Sequence, residues 1–412
     1  MAKLKAFRAI RPTRDKAHLV VTRPVSTYKK NVLKAKLESN PYTFIRIIHP
    51  EFDKEHAETK PNSNDRFQLV REKYSDFMED GILFQDHTPH IYLYKQTTPT
   101  HEFLGIIAGA SVEEYTSDKI KKHEATLTTR EEMFTNYLEV VGYNAEPVLL
   151  SYPHNPAIEN IYALIMANRP EYEFSTTDKT KHELWILSKV EQHTIEQAFE
   201  SIEASYIADG HHRSASSASL AQRINSKASS QNDSHNYFLA FFMDEKRINI
   251  LEFNRLIHHT NDLSTEELLE KIAVHFNISQ SSIPCKPQRE HEIAMNIEGS
   301  WYLLQCKDEI IEKTHPVACL DAEILTQFIL TPILGIKDLK TDPTIEFIPG
   351  NLGLNAIIQP IQLNKAKIGF VLYPVTMEQV KRVADHQMIM PPKSTWVEPK
   401  LRSGLTIYEI ES

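Results

Sequence analysis

Residues 206–213 read Y-I-A-D-G-H-H-R, and this run constrains the chain more than any other. Ser205 to Ala208 is small, apolar and partly aromatic, as expected for the end of a buried strand. Asp209-Gly210 is a turn dipeptide, because glycine tolerates the positive φ that a sharp reversal needs. Ser214 to Arg223 follows with helical character, and Ala218, Leu220 and Ala221 give it an apolar side. The pattern predicts strand, tight turn and helix, with Asp209, His211, His212 and Arg213 gathered at the turn. A helix N-terminus offers unpaired backbone N–H groups and a positive dipole end, which suits an anion such as phosphate. The bland alternative is a satisfied turn in a chain with 19 histidines and a second pair at His258-His259. The convergence of ionisable groups at a helix start favours function.

Composition narrows the class. Over 412 residues, 41% hydrophobic and 25% charged content is ordinary for a soluble globular protein with a sizeable core. The length permits two or three domains or one large unit. A net charge of −9 argues against a general nucleic-acid binder, although a local basic pocket remains compatible with it. The three cysteines, Cys285, Cys306 and Cys319, have no C-x-x-C spacing, which argues against a disulfide scaffold and a structural zinc site. The first 18 residues are basic but lack an apolar signal core. The longest apolar run, Ile324 to Ile336, is broken by Gln327 and Pro332, so no membrane partner is expected. A cytosolic protein is the expectation.

Along the chain, Asn40-Pro41-Tyr42 leads into Thr43 to Ile48, a β-branched and aromatic run that reads as a buried strand carrying Arg46. Arg46 then either meets an anion or faces solvent. Asp65 to Asp80 has apolar residues at helical spacing and ends at Gly81. Strands are expected at Ile82 to Phe84, His90 to Tyr94, Phe103 to Ala108, Pro147 to Tyr152 and His182 to Leu187. A helix start is expected at Ser111, and helices at Glu131 to Val141 and Ile195 to Ala204. His123-Glu124 with Thr126 is a compact polar set: a glutamate beside a histidine can act as a general base, or the set is a solvated loop. Asn236 to Met243 reads as an apolar strand with Ile248 to Phe253 as its hairpin partner, ending in Asn254-Arg255, which bind substrate or cap the turn. Ser264 with Glu267 forms a capping box ahead of a helix to His275. The polar segment 276–300 reads as a connection between lobes 1–275 and 301–412. The later segments read as strands at Trp301 to Gln305, Ile345 to Gly350 and Ile368 to Tyr373, and helices at Ala322 to Leu334 and Val375 to Asp385.

The tail, Met390 to Gly404, reads M-P-P-K-S-T-W-V-E-P-K-L-R-S-G. Two prolines force extended backbone there. Lys393, Ser394, Thr395, Lys400, Arg402 and Ser403 then supply cations and hydroxyls, as a polyanionic ligand needs, unless the loop is simply basic and solvated. Neither a Walker A loop nor a Rossmann G-x-G-x-x-G occurs.

Five motifs occur in order: N-P-Y-T-F-I-R at Asn40 to Arg46, H-E-x-T at His123 to Thr126, I-A-D-G-H-H-R at Ile207 to Arg213, F-N-R at Phe253 to Arg255, and M-P-P-K-S-T-W with P-K-L-R-S-G-L at the C-terminus. Together they resemble the bacterial domain-of-unknown-function 1015 family across nearly the whole chain, as one family-wide unit over 1–412. The Arg23-Pro24 region departs from the A-P-P-Y-D pattern of many members. The D-G-H-H-R signature also resembles that of free-serine kinases with a ParB/sulfiredoxin-like nucleotide-binding fold. The resemblance implies a mixed α/β (α+β) fold with such a core, a mixed sheet and an additional C-terminal lobe.

It also implies an ATP-dependent (or ADP-dependent) L-serine kinase using Mg²⁺. In that reading the amides after Gly210, with Arg213 and Ser214, receive nucleotide phosphates, and Asp209 helps hold Mg²⁺. His211 or His212 contacts a phosphate, and Glu124 is the base. Lys393, Ser394, Thr395 and Lys400 bind the nucleotide from the other side. Arg46, His123, Thr126, Asn254 and Arg255 serve the amino-acid substrate. Two other classes compete. A metal-dependent hydrolase would use Asp209, His211, His212 and His123 as ligands. A nucleotide-binding regulator would carry out no chemistry.

Overall fold

Apolar, β-branched runs separated by capped amphipathic segments should give a mixed sheet flanked by helices. The computed structural model, which describes residues 2–227 and 232–410, has that character. The chain divides into two compact units, Met1–Ile248 with Pro399–Ser412, and Asn249–Glu398.

The first unit is built on a nine-stranded mixed sheet. Its strands are β1 (Leu4–Lys5), β2 (Tyr92–Thr97), β3 (Glu102–Ser111), β4 (Ile120–Lys121), β5 (Val148–Tyr152), β6 (Tyr172–Ser175), β7 (Lys181–Ile186), β8 (Ser205–Asp209) and β9 (Tyr237–Asp244). The order is β4-β8-β5-β9-β3-β2-β7-β6, with β1 along β3. β8 runs parallel to β4 and antiparallel to β5, and β5 runs parallel to β9. One face packs Ile207, Leu150, Phe242, Ile106 and Leu93 into a common core. Three helices matter for the site: α1 (Asn64–Glu79), α2 (Thr128–Val141) and α3 (His211–Ser226). Ser63 caps α1 by accepting from the Arg66 N–H, and Phe67, Val70, Tyr74 and Phe77 form its buried stripe. Gly81, at φ +65°, ends it. α2 packs against both α1 and α3.

The second unit holds a six-stranded antiparallel sheet. Its strands are β10 (Phe253–Ile257), β11 (Phe276–Ser281), β12 (Glu292–Ile297), β13 (Ser300–Cys306), β14 (Ile345–Pro349) and β15 (Ile368–Leu372), in the order β11-β13-β12-β15-β10-β14. The capping box at Ser264 and Glu267 is present and starts the helix Thr265–Ala273. Among the described residues, no helix is long and apolar enough to cross a membrane.

Several expectations are corrected. Thr43 to Ile48 is not a strand: Ile45–Ile48 is a helical turn, which buries Phe44, Ile45 and Ile47 without a partner strand. Ile248 to Phe253 is not the hairpin partner of β9, which pairs with β3 and β5. Asn249–Leu251 instead pairs with Trp396–Glu398. Segment 276–300 is not a connection but supplies β11 and β12. The boundary falls near residue 249, and residues from 399 return to the first unit, where Tyr408 pairs with Asn144. Segment 156–166, for which the sequence reading proposed no element, is a helix that begins with Pro156 behind an Asn155 cap. Ala322 to Leu334 is interrupted, with a helix at Asp321–Leu325 followed by a π-helical stretch.

His182 on β7 is fully buried, with its ring nitrogens 2.7 Å from the Tyr94 hydroxyl and 3.3 Å from Thr176 Oγ1. Burial lowers its pKa from 6.5 to about 3. The folded state therefore keeps this ring neutral at pH values where the unfolded chain protonates it. Its contribution to stability is complete above the unfolded value and is lost as the pH falls from about 6.5 towards 3, by at most about 1.4 kcal/mol per pH unit. His182→Gln should flatten the fall of the urea midpoint across that acid range.

Candidate functional site

The site starts at the end of β8. Tyr206, Ile207 and Ala208 are buried, so the strand emerges from the core at Asp209. Gly210 has φ +107° and reverses the chain without a side-chain cap. A Cβ at Gly210 would lie 3.1 Å from the Arg213 guanidinium, which packs over this bare backbone. α3 begins at His211, three residues earlier than the sequence reading placed it. His211, His212 and Arg213 therefore leave the first helical turn in different directions, about 100° apart.

Arg213 turns back to the strand. Its Nη2 donates to Asp209 Oδ2 at 2.7 Å, and its Nη1 lies 2.8 Å from Glu146 Oε1. Nη1 also donates to the Pro147 carbonyl. Lys400 Nζ donates to Asp209 Oδ1 at 2.9 Å. Burial raises the Asp209 pKa, but Lys400 and Arg213 outweigh it and hold the carboxyl below its ordinary value. Two cations and two carboxylates thus balance at the start of α3. Ser403 Oγ contacts Glu146 Oε2 at 3.4 Å, and Ser214 Oγ donates back to the His211 carbonyl one turn earlier in α3 at 3.0 Å.

His211 turns the other way. His123 and His211 are 1% and 5% exposed, and their rings meet edge to face with centroids 4.5 Å apart. His211 Nδ1 lies 3.5 Å from Glu124 Oε2, and the Glu124 side chain is 43% exposed. The His123 backbone N–H donates weakly to His211 Nε2 at 3.5 Å. Neither ring nitrogen of His123 has a hydrogen-bond partner. Burial lowers both histidines to a pKa of about 3, so both are neutral at physiological pH. His212 lies beside the Phe134 ring, centroids 6.5 Å apart.

Beside Arg213 is a cavity of about 340 Å³ lined by Phe67, Phe134, Tyr137, Phe238, Glu146 and Arg213. Its aromatic walls with a few polar groups at the rim are typical of a small-molecule pocket. Sequence reasoning missed Glu146 and this cavity. The aromatic residues come from α1, α2 and β9, and no local pattern signals that they meet.

Other assigned residues have structural partners. Arg46 is held by Asp53 at 2.5 Å and by the Leu37 carbonyl, which answers the question of what this partly buried cation meets. Thr126 donates to Glu131 at 3.2 Å. The tail does not act as one cationic loop, because Lys400 reaches Asp209 while the buried Arg402 pairs with Asp178 at 2.7 Å. The remaining assigned residues lie in the second unit. There Lys393 (φ +57°) sits 5.5 Å above the Phe253 ring, Ser394 Oγ donates to the Pro391 carbonyl at 2.7 Å, and Thr395 is buried. Asn254 Oδ1 accepts from the Leu372 N–H at 3.2 Å. Arg255 is fully buried against the Phe347 ring and donates to the Phe253 carbonyl, and burial lowers its pKa to about 9. The hydrolase ligand set is also regrouped: His123 and His211 meet Glu124, whereas both oxygens of Asp209 are taken by cations.

The chain belongs to the family described as "Protein of unknown function (DUF1015)", whose pattern matches residues 4–323. No curated protein matches the sequence. Among solved structures, a free serine kinase in complex with AMP is 13% identical, with 73% of this chain and 91% of that chain covered and a TM-score of 0.36. A conserved hypothetical protein from Pyrococcus furiosus is 13% identical over 73% of this chain and 95% of that one, with a TM-score of 0.34. SbnI with a C-terminal truncation, from Staphylococcus aureus, is 10% identical over 74% and 87%, with a TM-score of 0.39. TM-scores this low do not establish a shared fold.

Replacing Gly210 with alanine should destabilise the protein by about 1–3 kcal/mol, the cost of forcing a side chain into this backbone conformation. Urea denaturation checks this, and an unchanged midpoint would show that the turn relaxes freely.

Proposed function

We propose that this member of the DUF1015 family is a small-molecule kinase. It transfers a phosphoryl group from ATP, or ADP, to the hydroxyl of a free amino acid, L-serine, giving O-phosphoserine. Under this reading the site-bearing unit has a ParB/sulfiredoxin-like core. One observation carries the proposal: Lys400 and Arg213 converge on Asp209 where α3 begins. Phosphoryl transfer needs positioning and charge neutralisation more than covalent help from the protein. At rest the two cations are balanced by Asp209 and Glu146, so neither sits as an isolated charge. A nucleotide phosphate arriving at the α3 amides competes with those carboxylates for the same cations. The aromatic cavity beside Arg213 has the dimensions and lining for the nucleoside.

In the transfer, the bond between the terminal phosphorus and its bridging oxygen breaks. The serine oxygen takes the phosphorus, and Glu124, at the exposed end of the His211 contact, takes the hydroxyl proton. Mg²⁺ enters with the nucleotide as part of the substrate. As a resident ion on Asp209 it does not fit, because Lys400 and Arg213 occupy both carboxylate oxygens.

Purified protein with Mg²⁺, ATP and a panel of hydroxyl amino acids led by L-serine, followed by ³¹P NMR, should yield a phosphomonoester. Glu124→Gln should lower kcat for its formation by about 10²–10⁴. Full turnover in Glu124→Gln removes the base. Nucleotide binding without any product would make the protein a nucleotide-binding regulator.

A further inference from the structure

His123 presents a physical problem that the kinase reading leaves unsolved. It is 1% exposed, and neither ring nitrogen has a hydrogen-bond partner. Leaving a buried polar group in that state carries its full desolvation penalty. Such groups are normally satisfied by water or an ion. Its neighbours suggest which applies here. Among the described residues, His123, Glu124 and His211 form a group whose ligand atoms all lie within 4.8 Å of one another.

We propose that His123, His211 and Glu124 bind a divalent first-row transition ion of the Zn²⁺ class. Two imidazoles and one carboxylate form a three-ligand set that leaves coordination positions open for water or another ligand. Imidazole donors select Zn²⁺ and its neighbours over Mg²⁺, which prefers oxygen and keeps its waters. Metal–ligand bonds of about 2.0–2.1 Å place donors roughly 3.3 Å apart around a tetrahedral ion. Closing from 4.8 Å requires a modest shift, and the mobile partner is available in the Glu124 side chain, 43% exposed. Ligation through His211 Nδ1 puts the ring proton on Nε2 and ends the contact with the His123 N–H, which at 3.5 Å contributes little. Asp209 is not needed as a ligand. Glu124 has two oxygens, so one can bind the ion while the other stays at the solvent side, where the proposed base is required. The site does not depend on the kinase reading and forms without nucleotide.

The test uses full-length, tag-free protein dialysed against chelator and titrated with Co²⁺ in the absence of nucleotide. The expected result is one equivalent bound, with the intense visible absorption of low-coordinate Co²⁺, displaced by one equivalent of Zn²⁺ and unaffected by excess Mg²⁺. His123→Ala, His211→Ala and Glu124→Gln should each weaken binding by more than about 100-fold, beyond the 10–100-fold cost of losing a group behind a ligand. His258→Ala, at the other histidine pair, should bind as the parent does. Glu124→Gln keeps the test valid if the buried histidine variants do not fold, because its side chain is partly exposed. Two results overturn the proposal: no stoichiometric uptake, as when water alone satisfies His123, or uptake that survives Glu124→Gln. Neither depends on whether phosphoryl transfer is found.

Discussion

The candidate site depends on the carboxylate of Asp209. It stands where β8 leaves the core, and it is gripped by Arg213 from the first turn of α3 and by Lys400 from the returning C-terminal segment. One side chain therefore ties together a strand end, a helix start and a segment nearly two hundred residues further along. Removing it would take away the one carboxylate that both cations contact, and would leave Arg213 with Glu146 and the Pro147 carbonyl.

The two faces of the α3 start have different chemistry. On the Arg213 side, charges are paired and an aromatic cavity lies alongside. On the His211 side, two neutral buried imidazoles meet one half-exposed carboxylate. The helical geometry produces this division: consecutive residues in the first turn point about 100° apart, so a motif that is continuous in sequence faces two different environments.

Much of the fold was legible in the sequence because local signals agreed with tertiary packing. β8, α1 and the Ser264 capping box follow from apolar spacing, a cap and a glycine stop. The failures have physical causes. Thr43 to Ile48 has strand-forming composition, yet one helical turn buries its apolar residues and lets Arg46 reach Asp53. β11 lies at the edge of its sheet and fully buries only Phe276, so its largely polar, exposed sequence reads as a linker. Of the site, the D-G-H-H-R run was legible as a polar cluster at a strand-to-helix turn, whereas Lys400 was read with Lys393, Ser394 and Thr395 as one tail loop and not as a partner of Asp209. The other partners were not legible: Glu146 and the neighbours of His211 are fixed by sheet order and helix rotation, which no short motif encodes.

The central claim is that Lys400 and Arg213 exchange Asp209 for nucleotide phosphate. The most direct measurement is the equilibrium affinity for ATP by isothermal titration calorimetry, comparing the parent protein with Lys400→Met. The account predicts at least a tenfold loss of affinity, about 1.4 kcal/mol, and a shallower salt dependence. An affinity and salt dependence unchanged by the substitution would contradict it.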